Sequence, residues 1–269
     1  MSPPVWLNGR LLDATDAHIA PNDRGLLLSD GLFETIRVAN GQAQHLARHL
    51  ARLEEGCTIL RLPTLDPTLL TQAVSDLLHA TGLSDGSLRL TVTRGTGPRG
   101  LVPPVTPQPT VLIQATASAL AVVPAPVRLG LGRYRRDGGS PLARVKSLAC
   151  LSSIMSRMEA VAAGLDDALL LGMTGAVAEA SAANVLFLQE GRLQTPPIHD
   201  GALPGTSRAR LLEGGFCTEG RLLPQDLKTV TGVWLVNALS LTAVSDIDNY
   251  ELPLHPERDR QLREFLFSV

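Results

Sequence analysis

One lysine, one carboxylate and one hydroxyl-bearing turn stand in order along this 269-residue chain. Lys146 lies in Ala143-Arg144-Val145-Lys146-Ser147-Leu148, Glu179 in Val177-Ala178-Glu179-Ala180-Ser181, and Thr206 and Ser207 in Leu203-Pro204-Gly205-Thr206-Ser207-Arg208. An amine, an acid and an anion-binding turn are what an aldehyde cofactor with a basic ring nitrogen and a phosphate needs. Pyridoxal 5'-phosphate (PLP) is that cofactor. In this reading Lys146 forms the Schiff base, and burial lowers its amine pKa so that it also moves protons. Glu179 keeps the ring nitrogen protonated. Backbone N–H groups and hydroxyls at Thr206 and Ser207 meet the phosphate at a helix N-terminus, with Arg52 as a cationic partner.

Each residue has a plainer reading on its own. A lysine beside an apolar helix extends to solvent, Glu179 caps a turn, many helices begin with Gly-Thr-Ser, and Arg52 is a solvated surface arginine. The order of the parts is what points to the cofactor. The six histidines show no metal-ligand spacing, so no metal site is expected.

The elements that must position these residues can be read from pattern. Val5 to Leu12 forms a hairpin with Asn8-Gly9 at its turn. Leu46 to Leu62 carries apolar residues at helical spacing, and Asp66 caps a second helix that starts on Pro67 and runs to about Ala80. Leu88 to Thr93 alternates as a half-buried strand, and Thr110 to Thr116 is another. Ser147 to Ala163 reads as a helix stopped by Gly164, which puts Lys146 at a helix start. Ala168 to Leu171, Asn184 to Leu188 and Gly232 to Val236 are strands, Thr206 to Leu212 is a helix, and Glu257 to Phe267 is a terminal helix. Trp6 and Trp234 belong to the core. The fold class is therefore α/β (α+β), with a domain over 1–117, a Pro- and Ala-rich linker over 118–126, and a second domain over 127–269.

Composition narrows the setting. Apolar residues make up 44% and aromatics 3%, so Leu, Val and Ala must fill the core, and a formal charge of -2 argues against a nucleic-acid surface. Three distant cysteines suit reduced thiols, and no apolar run is long enough to span a bilayer. A cytoplasmic enzyme acting on a small molecule is the expectation, with neither nucleic acid nor membrane as partner.

These residues resemble the class IV aminotransferases, the fold-type IV PLP enzymes. The resemblance is carried by Asp30-Gly31-Leu32-Phe33-Glu34-Thr35-Ile36-Arg37-Val38, His49-Leu50-Ala51-Arg52-Leu53, Thr93 to Gly100, Lys146, Glu179 to Asn184, and Gly205 to Arg208. It implies a homodimer whose chain has a smaller N-terminal α/β domain and a larger, barrel-like C-terminal one, with PLP in the cleft between them. It also implies the Schiff base at Lys146, the ring-nitrogen partner at Glu179, and phosphate contacts at Arg52, Thr206 and Ser207. Within the family the chain looks most like 4-amino-4-deoxychorismate lyase, which makes 4-aminobenzoate, a folate precursor, and pyruvate. The alternatives are D-amino acid and branched-chain amino acid aminotransferases. Ala149, Cys150 and Leu151 stand where branched-chain enzymes carry an Asn-Tyr pair. Gly100 and Leu101 follow Arg99 where D-amino acid enzymes carry an Arg-x-His trap. The lyase substrate has two carboxylates, for which Arg94 and Arg99 are the candidate contacts, although loop arginines also commonly face solvent.

Overall fold

The computed structural model describes residues 3–118 and 123–268; of the expected linker, residues 119–122 lie outside the described residues. The chain forms two compact units, Met1–Leu120 with Val145–Ala149, and Ala121–Arg144 with Cys150–Val269.

In the first unit, β1 (Pro4–Leu7) and β2 (Arg10–Asp13) are the expected hairpin, followed by α1 (Arg24–Leu28), β3 (Gly31–Ala39), β4 (Gln42–Ala43), α2 (Leu46–Leu60), α3 (Pro67–Thr81), β5 (Gly86–Thr93) and β6 (Thr110–Ala117). Asn8 and Gly9 both take positive φ, as a two-residue hairpin turn requires. Asp66 caps α3 by accepting the Thr68 N–H at 2.8 Å. The six strands are ordered β2-β1-β6-β5-β3-β4, and every neighbouring pair is antiparallel. Alternation along β3 sends Leu32, Ile36 and Val38 into a core with Leu50, Leu53 and Cys57 of α2 and Leu70, Val74 and Leu77 of α3. Glu34 is in phase with that apolar row, so a carboxylate sits fully buried on the core side. Phe33, Thr35 and Arg37 are half-buried on the opposite face.

The segment around Lys146 corrects the sequence reading. The fourth helix, α4, spans Leu151–Ala162, so the helix does not begin at Ser147 and Lys146 is not at its start. Residues 146–148 are instead extended along the free edge of β3. Phe33 donates its N–H to the Lys146 carbonyl, and Leu148 donates to the Gly31 carbonyl, both at 3.0 Å. The backbone groups that a helical turn would use internally are taken by the strand edge.

The second unit contains β7 (Val127–Arg136), α4, β8 (Asp167–Gly172), β9 (Val177–Ala180), β10 (Asn184–Gln189), β11 (Arg192–Thr195), α5 (Thr206–Glu213), β12 (Thr218–Glu219), β13 (Val230–Val236), β14 (Leu241–Ile247), β15 (Tyr250–Glu251) and α6 (Pro256–Phe267). Its nine-stranded mixed sheet is ordered β12-β11-β10-β13-β14-β7-β8-β9, with β15 pairing β14. The runs Asp167–Gly172 and Val177–Ala180 are buried at every residue, as strands covered on both faces are. One cluster gathers Leu129, Leu169, Val185, Phe187 and Val233, and a second packs Leu211 of α5 and Leu262 and Leu266 of α6 against Trp234 and Leu241. Trp6 and Trp234 are buried, as expected. No helix among the described residues is long and apolar enough to cross a membrane.

Candidate active site

In the first unit, adjacent residues of β3 hold two of the expected site residues. The half-buried Lys146 carries its Nζ over the Phe33 ring, 4.4 Å from the centroid, and the Arg89 guanidinium lies 4.0 Å from the same ring. Cations near an aromatic face are favoured by its quadrupole. On the other side of the strand, Arg52 places Nε 2.8 Å from Glu34 Oε1 and Nη2 2.6 Å from Glu34 Oε2, and His49 Nδ1 lies 2.7 Å from Oε2. Burial alone raises the Glu34 pKa, but the hydrogen bonds and charge of His49 and Arg52 outweigh it and hold the carboxyl below its usual range. The two-point bond fixes the plane of the Arg52 guanidinium.

Arg94 follows β5 directly and is buried, not on an open loop. It donates to both Asp30 oxygens and to the carbonyls of Leu60 and Arg61, at 2.8 to 3.0 Å. Arg99, five residues on, is exposed.

In the second unit, Glu179 lies within β9, paired with Leu170. Its Oε2 accepts the Leu203 N–H at 2.9 Å, and its Oε1 is 2.9 Å from Arg136 Nε. Arg136 also donates to the Gly201 and Ala143 carbonyls, so it is braced on three sides. Asn184 donates its side-chain N–H to the Leu203 carbonyl at 2.9 Å. A Cβ built on Gly205 would collide with Asn184 Oδ1, so any larger residue at this N-cap position must displace the Asn184 side chain. Thr206 and Ser207 follow as the first residues of α5, both buried, and their N–H groups have no acceptor inside the helix. Ser207 Oγ donates to the Asn237 carbonyl at 2.9 Å, bringing the 237–240 turn beside α5. Asn237 Oδ1 accepts the Leu239 and Ser240 N–H groups and shapes that turn.

Glu179, Thr206 and Ser207 are therefore linked through Leu203, Asn184 and Gly205. A buried carboxylate set beside a helix N-terminus with small, glycine-bounded residues suits the ring nitrogen and phosphate of PLP. Sequence reasoning missed Arg136, which has no motif of its own, and the bracing roles of Glu34, His49, Asn184 and Asn237. The Glu34 signal was a lone acid in phase with an apolar row. Among the described residues no cluster suits a metal ion.

Comparisons with known proteins identify the family and the fold. The profile of the amino-transferase class IV family matches residues 31–247. A Methanocaldococcus jannaschii protein named for branched-chain-amino-acid aminotransferase activity is 32% identical over 261 residues, covering 91% of this chain and 88% of its own. The crystal structure of a branched-chain aminotransferase from Thermoproteus uzoniensis with norvaline superposes with TM-score 0.89 at 28% identity, covering 98% and 94% of the two chains. That of 4-amino-4-deoxychorismate lyase from Pseudomonas aeruginosa gives 0.81 at 32% identity, covering 97% and 98%. The mixed α/β, fold-type IV class expected from the sequence is the one observed.

Proposed function

This chain belongs to the class IV aminotransferase family, whose cofactor is PLP, and within it we propose that it is a 4-amino-4-deoxychorismate lyase. The observation that carries the choice is the stretch from Arg94 to Gly100: the buried Arg94 is fixed on Asp30 and the Gly100 carbonyl accepts from the buried Arg24, while Arg99 between them is left exposed. A substrate with two carboxylates needs a presented cation, and similarity to the Pseudomonas lyase runs over nearly the whole of both chains.

When bound, PLP supplies an electrophilic carbon and an electron sink. Lys146 Nζ would be the amine that holds it and the base that takes the proton from the substrate ring carbon bearing the amino group. The Phe33 ring holds that nitrogen in place, most strongly when it is charged. Glu179 accepts the ring N–H, with Arg136 and the Leu203 N–H fixing its orientation. Thr206, Ser207 and Arg52 hold the phosphate, and the Glu34 fork orients Arg52. Arg99 meets a substrate carboxylate, and Arg94 holds the base of its loop. Loss of the enolpyruvyl group as pyruvate leaves an aromatic ring, which drives the reaction forward. A homodimer in the cytoplasm is part of this proposal, and sedimentation equilibrium tests the stoichiometry.

The second reading, a branched-chain or D-amino acid aminotransferase, is favoured by the likeness to the Methanocaldococcus and Thermoproteus proteins. The deciding experiment offers the PLP-loaded protein enzymatically generated aminodeoxychorismate, beside D-alanine or L-leucine with 2-oxoglutarate. Equimolar 4-aminobenzoate and pyruvate support the lyase; amino transfer without 4-aminobenzoate overturns it.

A further inference from the structure

We infer that Arg24 is a positioning residue for the substrate-facing loop, acting as a buried spine around which residues 97–102 are wound, with Asp30 as its footing. This rests on the assignment of Arg99 to the substrate side.

Arg24 is 4% exposed, although it belongs to a short helix whose leucines Leu26, Leu27 and Leu28 face solvent. Its Nε donates to Asp30 Oδ2 at 2.8 Å. The rest of the guanidinium is spent on one stretch of main chain: Nη1 donates to the Gly100 carbonyl at 3.0 Å and, more weakly, to that of Val102 at 3.4 Å, and Nη2 donates to the Leu101 carbonyl at 2.9 Å. Gly97 completes the wrap, since a Cβ there would come within 2.8 Å of Arg24 Cδ. Backbone bonds from Arg24 to Gly95 and from Gly97 to Asn22 close the base of the loop.

Asp30 joins this spine to Arg94. One oxygen accepts from Arg24 and Arg94, the other from Arg94 alone, and Arg94 in turn grips the carbonyls that end α2. The next residue, Gly31, begins the strand edge to which the Lys146 segment is bonded. Position is therefore handed from the base-bearing segment to the loop through fixed charged bonds, which are stronger than neutral ones.

The loop's side chains point the other way. Arg99 is exposed, and Leu101 and Val102 are 82% and 79% exposed. A main chain held by a buried cation, with one cation and two aliphatic groups turned outward, is a presented surface. Its chemistry suits a carboxylate carried on a small apolar or cyclic body. Lysine cannot replace Arg24, because it keeps the charge but has no planar fork to reach three carbonyls.

The test uses the PLP-loaded holoenzyme and the variants Arg24→Lys and Gly97→Ala. The second displaces the loop without removing a charge. Two readouts are taken: tryptic cleavage after Arg99 under native conditions, and kcat and KM for the carboxylate substrate. Both variants are expected to be cut faster after Arg99 and to raise KM roughly tenfold, with kcat within about twofold and the cofactor absorbance unchanged. Unchanged cleavage in both overturns the spine, as does an equal fall in kcat and kcat/KM. Arg99→Gln separates the two claims. If it leaves KM unaltered while cleavage in Arg24→Lys is faster, the loop is ordered as described but is not the substrate side, and the positioning role falls with that assignment.

Discussion

Phe33 holds Lys146 twice, donating its N–H to the lysine carbonyl at 3.0 Å while its ring lies 4.4 Å from the lysine Nζ. The first bond is main chain to main chain and survives any truncation of the side chain. Lys146→Ala should therefore keep the fold and lose the chemistry, with turnover reduced by roughly a thousandfold or more. Circular dichroism and the imine absorbance of the cofactor check this together. An unchanged fold with the absorbance retained would place the Schiff base elsewhere.

The Glu34 carboxyl is buried with Arg52 and His49, and its pKa is held below the ordinary 4.5. A carboxyl depressed in the folded state contributes stability that is present above the unfolded pKa. That stability is lost as pH falls through the depressed folded value. Glu34→Gln should cost about 3 kcal/mol at neutral pH, because it strands a buried guanidinium. The penalty should shrink as pH drops below about 4.5, since the wild type then loses the same interaction. Urea melts across pH 3 to 7 check this, and a penalty independent of pH would contradict it.

Gly205→Ala drives a methyl group into Asn184 Oδ1. The collision should displace the start of α5 and cost about 1–3 kcal/mol. It should also loosen PLP, seen as a rise in its dissociation constant by fluorescence titration, with far-UV ellipticity preserved. Replacing Asn184 by serine as well should recover part of the affinity, because the obstructing atom is gone.

Burial pushes the Cys57 and Cys217 thiols up to about 11, while Cys150 is half-buried at the start of α4. The thiolate is the reactive form, so native protein at pH 7.5 should yield one fast thiol to Ellman's reagent, and Cys150→Ser should remove it. All three thiols should react in denaturant. Rapid labelling of Cys57 in the folded state would show that the α2 core opens.

Features with local causes were legible in the sequence. Asn8-Gly9 forces a tight turn, and Asp66-Pro67 starts α3 through a cap and a preset φ. Lys146, Glu179 and the Gly205-Thr206-Ser207 turn were singled out because their chemistry is rare in combination. The extended backbone at Ser147 was not, since Ser147-Leu148-Ala149 suits a helix and only the distant edge of β3 makes it a strand. Arg94 shows the same limit. Its type suggested a ligand contact, while its bonds to Asp30 and to the end of α2 come from residues 64 and about 34 positions away. Charge pairing at that separation leaves no periodic trace.

The first unit is discontinuous, since its Val145–Ala149 segment follows 24 residues, Ala121–Arg144, that belong to the second. During synthesis on the ribosome, the free edge of β3 near Gly31 must wait until residue 149 has emerged before its hydrogen bonds with Lys146 and Leu148 can close. Lys146 thus arrives on its strand as one of the last pieces of that unit, after the helices behind the sheet have been made. A nascent chain of which residues up to about 130 have emerged would carry a nearly whole first unit with an unfilled strand edge, the kind of surface on which a chaperone, or another unfinished chain, can settle.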